Sequence, residues 1–310
     1  SLQDGVGSDN QSISGSGLSG TTLTIGISGG SNEAVDLSSL VGSSVSSIND
    51  LSDALVEDDS YYIGNDPSST TATAERNLAV GGTALDALTT GDDNVGVGYN
   101  ALTANTTGPY NTALGSGALQ ANTSGDANTA SGYYALATNT TGRLNTGYGY
   151  RTLTSNTSGE ANVAMGHQAL FTNTTGNFNI GIGNNALEKN TTGYANTMVG
   201  FEAGRTNTTG YQNTVVGYEV LELNTTGFNN AAFGYRTLAS STTGTANIAV
   251  GNWALTANTT GWGNAAIGHN ALSSNLVGRN NTAVGYNASS SSNEHANSAF
   301  GGFALEASTS

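Results

Sequence analysis

The chain has no cysteine, so no disulfide braces its fold and no thiol is available for chemistry. Basic residues are nearly missing. Six arginines and one lysine stand against 22 acids in 310 residues, a net charge of −15. Nucleic-acid binding depends on basic residues meeting phosphates, and anionic membrane surfaces attract the same side chains, so both are poor partners. No apolar run approaches the length of a membrane span. No signal peptide is visible after Ser1, and the sequence reads as a fragment or a processed chain. Charged residues are only 9% of the total, well below the usual quarter or so.

Large apolar side chains are also scarce. Hydrophobic residues make up 36%, and most of these are Ala, Val and Leu. Such a chain is either disordered or folded in a way that needs little core per residue. Plentiful Val, Ile and Thr, with 13 Tyr, argue for β structure. Glycine is abundant, 44 of 310, about twice the usual share.

What the chain does have is a period. Asn77, Asn94, Asn111 and Asn128 open a series with a constant step of 17 that runs to Asn281, and a last step of 16 reaches Asn297. Counting each of these Asn as position 1, the phrase is N-x-A-V-G-x-x-A-L-x-x-N-T-T-G-x-x. Position 5 is glycine in every copy: Gly81, Gly98, Gly115, Gly132, Gly149, Gly166, Gly183, Gly200, Gly217, Gly234, Gly251, Gly268, Gly285 and Gly301. Position 9 is Leu except at Gly204 and Ser289, and position 15 is Gly from Gly91 to Gly278. A unit this short, with two glycine turns, cannot hold a helical repeat. It suits one coil of a β-solenoid.

The fold predicted is therefore all-β, a repetitive β-solenoid of about 14 coils, one per repeat, over 77–310. Each coil would hold a short strand near positions 1–4, a turn at Gly5, a second short strand near 7–10 and the N-T-T-G turn. Val or Ile at position 4 and Leu at position 9 would point inward, so that Leu114 and Leu119 fill one coil. Ala at positions 3 and 8 would let backbones approach, and Asn and Thr would fold back onto nearby backbone. Coils stacked like neighbouring strands, ~4.8 Å apart, give a rod roughly 65 Å long.

Stacking requires that residues one repeat apart be compatible neighbours. Asp126, Arg143 and Glu160 alternate in sign at position 16, as do Glu188, Arg205 and Glu222 at position 10. Glu219 is followed by Arg236 at position 7, and Arg279 follows Trp262. Tyr194, Tyr211 and Phe228 form an aromatic rank at position 16, and Phe201, Tyr218 and Tyr235 form another at position 6. Such pairs stabilise sheets. Glu202 beside Glu219 is a like-charge step.

The segment before Asn77 differs. Residues 1–43 read as a connector with a β-hairpin: Thr22–Ser28 alternates like a strand, Gly29–Asn32 turns, and Glu33–Leu37 returns. In residues 44–76, Val45, Ile48, Leu51 and Leu55 fall at helical spacing in a short segment ending near Glu57. A loop, Asp58–Ala74, then leads into the solenoid.

Catalytic and metal constellations are weak. His167 and His269 share position 6 but lie six coils apart, and His295 stands alone, which points to exposed or stacking imidazoles. Glu202 and Glu219 would be close enough to suggest a hydrolytic pair, yet no insertion makes a pocket around them. Glu57-Asp58-Asp59 and Asp92-Asp93 lack the spacing of calcium loops and read as solvated turns. Triplets such as Asn105-Thr106-Thr107 match the N-glycosylation acceptor but are more simply turns. No enzyme activity, cofactor or metal is expected.

Phrases such as Asn213-Thr214-Val215-Val216-Gly217-Tyr218 and Asn281-Thr282-Ala283-Val284-Gly285-Tyr286 resemble the repeats of phage tail-fibre proteins. They are also similar to the head repeats of trimeric autotransporter adhesins. Gly20-Thr21-Thr22-Leu23-Thr24-Ile25, Ile48-Asn49-Asp50-Leu51 and Tyr62-Ile63-Gly64-Asn65-Asp66-Pro67 look like marine, cyanophage-like structural proteins. The resemblance implies an elongated, fibrous homotrimer on a virion or cell surface, whose partners are further copies of itself, other tail proteins and host-surface glycan or protein. For adhesin heads it implies a left-handed β-roll, although the coils of those heads are shorter than the repeat in this chain. Exposed aromatics, Tyr133, Tyr194, Tyr211, Phe228, Trp253 and Trp262, are the candidates for surface recognition, against the simpler reading that they stack on one another. Two other readings share this architecture: a bacterial trimeric adhesin or surface filament, and an ice-binding solenoid presenting ranks of Thr.

Overall fold

A computed structural model describes residues 17–19, 22–25, 33–36, 54–57, 59–64, 71, 73–290, 293 and 295–305, the first four segments as backbone only. Two units separate, 1–52 and 53–310. In the first, β1 (Gly17–Ser19), β2 (Thr22–Ile25) and β3 (Glu33–Asp36) form an antiparallel sheet, β2 facing β3 with Thr24 opposite Ala34. The predicted hairpin is present, with one strand more than the alternation in the sequence shows.

The second unit is a parallel β-solenoid. A hairpin of β4 (Ala54–Glu57) and β5 (Ser60–Ile63) opens it. Fourteen three-residue strands follow, from β6 (Leu78–Val80) to β19 (Ser298–Phe300), each paired in parallel with the next one coil on. With β5 this makes fifteen parallel strands, and no helix occurs among the described residues. The short helix expected to end near Glu57 is not found in the part of it described. Ala54–Glu57 pairs with Ser60–Ile63, which lies in the expected loop. Val45, Ile48 and Leu51 lie outside the described residues. Pairing covers the free edge that β5 would otherwise expose.

Each strand occupies positions 2–4, and pairing keeps the register of the repeat: Thr112 opposes Thr129, and Ala113 opposes Ala130. Side chains of a strand alternate between faces. Position 3 points in, so Ala113, Ala130 and Ala164 are fully buried. Positions 2 and 4 therefore point out. The expected inward turn of position 4 is overturned: Leu114 is 51% exposed. Val216, Phe233, Val250 and Ile267 are exposed at the same position. Leu at position 9 is buried as expected, and Ala at position 8 is buried beside it, as Leu119 and Ala118 show.

The second strand expected at positions 7–10 is absent. These residues form turns, and positions 7 and 9 take left-handed backbone angles, as at Tyr134 (φ 53°) and Leu136 (φ 53°). Alternating left-handed residues cannot extend as a strand, and each non-glycine one costs about 1–2 kcal/mol. The coils remain tied by backbone hydrogen bonds, Leu119 N–H to Ala135 O at 3.0 Å and Ala121 N–H to Ala137 O at 2.9 Å.

Core volume is balanced within coils. Where Leu gives way to Gly204 at position 9, position 3 carries Met198. A Cβ on Gly204 would lie 2.9 Å from Met198 Sδ, so the methionine occupies the space of the missing leucine. At the hairpin end, Tyr62 fills the position that alanine takes in later coils, and it is fully buried.

Candidate functional site

The most regular feature is polar and internal. Asn at positions 1 and 12 is buried throughout the stack, from Asn77 to Asn281 at position 1. Each position-1 Oδ1 accepts the backbone N–H of the next: Asn128 N–H to Asn111 Oδ1, 3.0 Å. Where the preceding coil also has Asn at position 12, the position-12 amide donates backward: Asn122 Nδ2 to Asn105 Oδ1, 2.9 Å. In most coils both kinds also donate to the position-15 glycine carbonyl of their own coil, as Asn111 and Asn122 do to Gly125 O. Buried amides are tolerable because these bonds are made. The sequence marks these Asn as turn formers, but their main work is between coils. The same burial closes the glycosylation triplets, since Asn105, Asn122 and Asn139 have no exposed surface.

The two glycines serve different ends. Gly115 has φ 132°, a region closed to side chains, and a Cβ there would lie 2.7 Å from Gly132 O. All fourteen position-5 glycines share this angle range, 113–143°. Gly125, at position 15, needs no such angle. A Cβ there would come within 2.9 Å of Asn139 Nδ2 and closer still to Gly142 O.

The aromatic ranks stack as expected. Tyr194 and Tyr211 lie 4.9 Å apart at 5°, and Tyr211 and Phe228 lie 4.6 Å apart at 4°. Phe201, Tyr218 and Tyr235 form a second stack, and Trp253 meets Tyr235 edge-on. Tyr133 stacks on Tyr150, which stacks on His167, and His269 stacks on Tyr286. Ring faces are thus spent on one another and their edges are left to solvent. Arg279 lies over Trp262, 5.8 Å from its centre.

The charge ladders form in part. Arg143 pairs with Glu160 at 3.2 Å, and no pair with Asp126 forms within ion-pair distance. Arg205 pairs with Glu222 at 3.0 Å and with Glu202 at 3.5 Å, in place of Glu188. Arg236 takes Glu219 at 3.3 Å. The Glu202–Glu219 step is therefore relieved by two arginines, and both carboxylates are engaged. A hydrogen bond to Glu219 also holds the Tyr218 hydroxyl above its usual pKa.

Asp92 and Asp93 face Arg76, whose guanidinium holds Asp93 in two bonds of 2.8 and 3.0 Å. That hydrogen bonding keeps the Asp93 carboxyl below the ordinary range and raises the arginine. Asp58 lies outside the described residues, and no group of three or more metal-ligating side chains occurs among those described. At position 13, Thr hydroxyls donate to the next coil, Thr106 Oγ1 to Thr123 O at 3.0 Å, which leaves position 14 as a single exposed file.

The outer face of the parallel sheet is exposed along the stack. Its position-4 row runs Leu114, Tyr148, Met165, Phe233, Ile267 and Phe300 among other apolar residues, interrupted by Ser131. No charged side chain occupies positions 2, 3 or 4 in any of the fourteen coils. No protein-family model, curated protein or solved structure matches the chain.

Proposed function

We propose that the chain is a non-enzymatic structural fibre of a phage virion, a tail-fibre shaft or receptor-binding segment that mediates host attachment as a homotrimer. The observation that carries this reading is the charge-free apolar sheet face. Tyr148 is 60% exposed and Leu114 51%, in a row that is apolar in thirteen of the fourteen coils. Contiguous apolar surface of this length marks an interaction site. In a chain with net charge −15, a face without charge lets copies meet without charge repulsion, and this one is apolar as well. Its side chains repeat at the coil spacing, and a second copy offers the same repeat. Closed cyclic symmetry buries every such row at once. Three copies, in place of two, follow the resemblance to tail fibres and adhesin heads. The stacked coils supply length and stiffness for a shaft on a virion tail.

Light scattering in native buffer should give about three times the 31.1 kDa chain mass. A mass equal to that of one chain removes the assembly. Gold-labelled antibody against the chain should mark the tails of intact phage particles, and particles left unlabelled remove the virion assignment.

A further inference from the structure

The repeat changes character on one side of the stack. At positions 10 and 11, the four coils beginning at Asn162, Asn179, Asn196 and Asn213 carry bulky or charged side chains, among them Phe171, Glu188, Lys189, Arg205 and Glu222. The coils beginning at Asn94, Asn111 and Asn128 carry uncharged and, apart from Gln120, small ones there, including Ala104, Ala121 and Ala137. The result is a shallow groove of about 570 Å³ with a mainly apolar floor. Tyr134 forms a wall. Its ring lies flat on Gly117, where a Cβ would stand 3.3 Å from three ring carbons. Gly117 is the one glycine at position 7, so the tyrosine is seated by a specific departure from the phrase.

Arg151 stands one coil beyond Tyr134 and closes the groove. It differs from four of the other five arginines. Arg76, Arg143, Arg205 and Arg236 each hold a carboxylate within 3.3 Å. Arg151 has none within ion-pair distance among the described residues. Its Nε is buried without a hydrogen-bond partner, as are those of Arg205 and Arg236, but only the latter two have a carboxylate nearby, at 3.5 and 3.3 Å. Its guanidinium carbon sits over the Phe171 ring, 5.0 Å from the ring centre. In a chain with 22 acids, a half-buried guanidinium lacks an anion beside a groove. A buried donor without an acceptor is costly, and a planar guanidinium suits a carboxylate in particular.

The groove offers side chains only. The backbone N–H groups of its floor are taken by coil-to-coil bonds, Ala104 to Gln120 O at 3.1 Å and Thr138 to Thr154 O at 3.0 Å. An extended peptide would find no backbone partners there. A sugar ring needs none: its C–H face suits alanine methyls and a tyrosine, and its hydroxyls suit the amide of Gln120 and the hydroxyls of Thr103 and Thr138. We propose that this groove binds a carboxylate-bearing saccharide unit, a uronic acid residue, with its carboxylate on Arg151 and its ring against the alanine floor and Tyr134. The site lies within one chain and does not rest on trimerisation or on a virion context.

The test is calorimetric titration of the full chain with a galacturonate trisaccharide, its neutral galactose counterpart and triglutamate. The galacturonate should bind, and the other two should bind about 10-fold or more weakly. Arg151→Gln should lose about 10-fold or more of that affinity. Arg279→Gln, which removes the other arginine without a carboxylate partner among the described residues, should leave it unchanged. No saturable binding of galacturonate, equal binding of triglutamate, or an equal loss in both variants overturns the proposal. If Arg151→Gln does not fold, the Arg151 Nε–H resonance of the unaltered chain decides. It must shift on titration with galacturonate, and a resonance that stays in place overturns the site.

Discussion

Asn111 and Asn122 donate their side-chain amides to one acceptor, the carbonyl oxygen of Gly125, at 2.8 and 2.9 Å. The two asparagines lie at opposite ends of the coil's turn region, and the glycine carbonyl joins them inside. The same node recurs in nearly every coil, with Asn179 and Asn190 meeting at Gly193 O. A thin apolar core is thereby supplemented by a polar one.

Beyond the first two coils, the node fails in the coil beginning at Asn230. At position 12 of that coil the residue is Ser241, and both its Oγ and Asn224 Oδ1 are buried without partners. Ser241→Asn restores the ladder between Asn224 and Asn258. It should raise stability by about 1–3 kcal/mol, the usual cost of unsatisfied buried groups. Asn190→Ala should do the reverse by a similar or larger amount. Chemical denaturation of the three proteins checks both signs.

Met198 and Gly204 should behave as a coupled pair. Met198→Ala alone opens a cavity and should cost about 2–5 kcal/mol. Gly204→Leu alone crowds the methionine and should cost about 1–3 kcal/mol. The double variant restores the common phrase and should lie close to the parent. A double-mutant cycle showing simple additivity would reject this packing.

Glycine at position 15 should be irreplaceable for reasons of space. Gly193→Ala places a Cβ against Gly210 O and Asn190 Oδ1. The backbone of the next coil has to move, so its amides should lose protection from hydrogen exchange. A site-resolved exchange map unchanged beyond Gly193 would contradict the close approach.

Acid should loosen the first coil. The Asp93 carboxyl has a lowered pKa in the folded chain, caused first by its hydrogen bond to Arg76. Its contribution to stability is present above the unfolded value of about 3.9 and is lost as pH falls through the lower folded value. An NMR titration should place the Asp93 midpoint below about 3.9 and Arg76→Gln should return it there. A midpoint at the ordinary value in the parent chain would contradict the pairing.

The period, the register and the stacked rings were all legible in the sequence, because each depends only on what stands one repeat away. Tyr194, Tyr211 and Phe228 needed no more than that. The direction of position 4 was not legible from hydrophobicity. Val216 and Phe233 look like core residues, but a strand whose middle residue is Val215 or Ala232 must turn its flanking residues outward. The signal was present in size: position 3 holds Gly96, Gly147, Gly181 and many alanines, as a crowded interior requires. The buried amides were hidden by chemistry, since Asn beside Thr and Gly is also the composition of an open turn. The groove at Arg151 was illegible for another reason. It is written in departures from the phrase, at Gly117, Tyr134 and Ala137, which matter only when three coils are seen side by side.

Within the stack, each coil is bonded only to the one before and the one after. Such an array responds to load as a zipper does. Pulled from its last strand, Ser298–Phe300, it would release one coil at a time, and each release would break nearly the same set of amide and strand bonds. The force would hold near one level while the filament lengthened, with a dip at Ser241, where the inner ladder is already open.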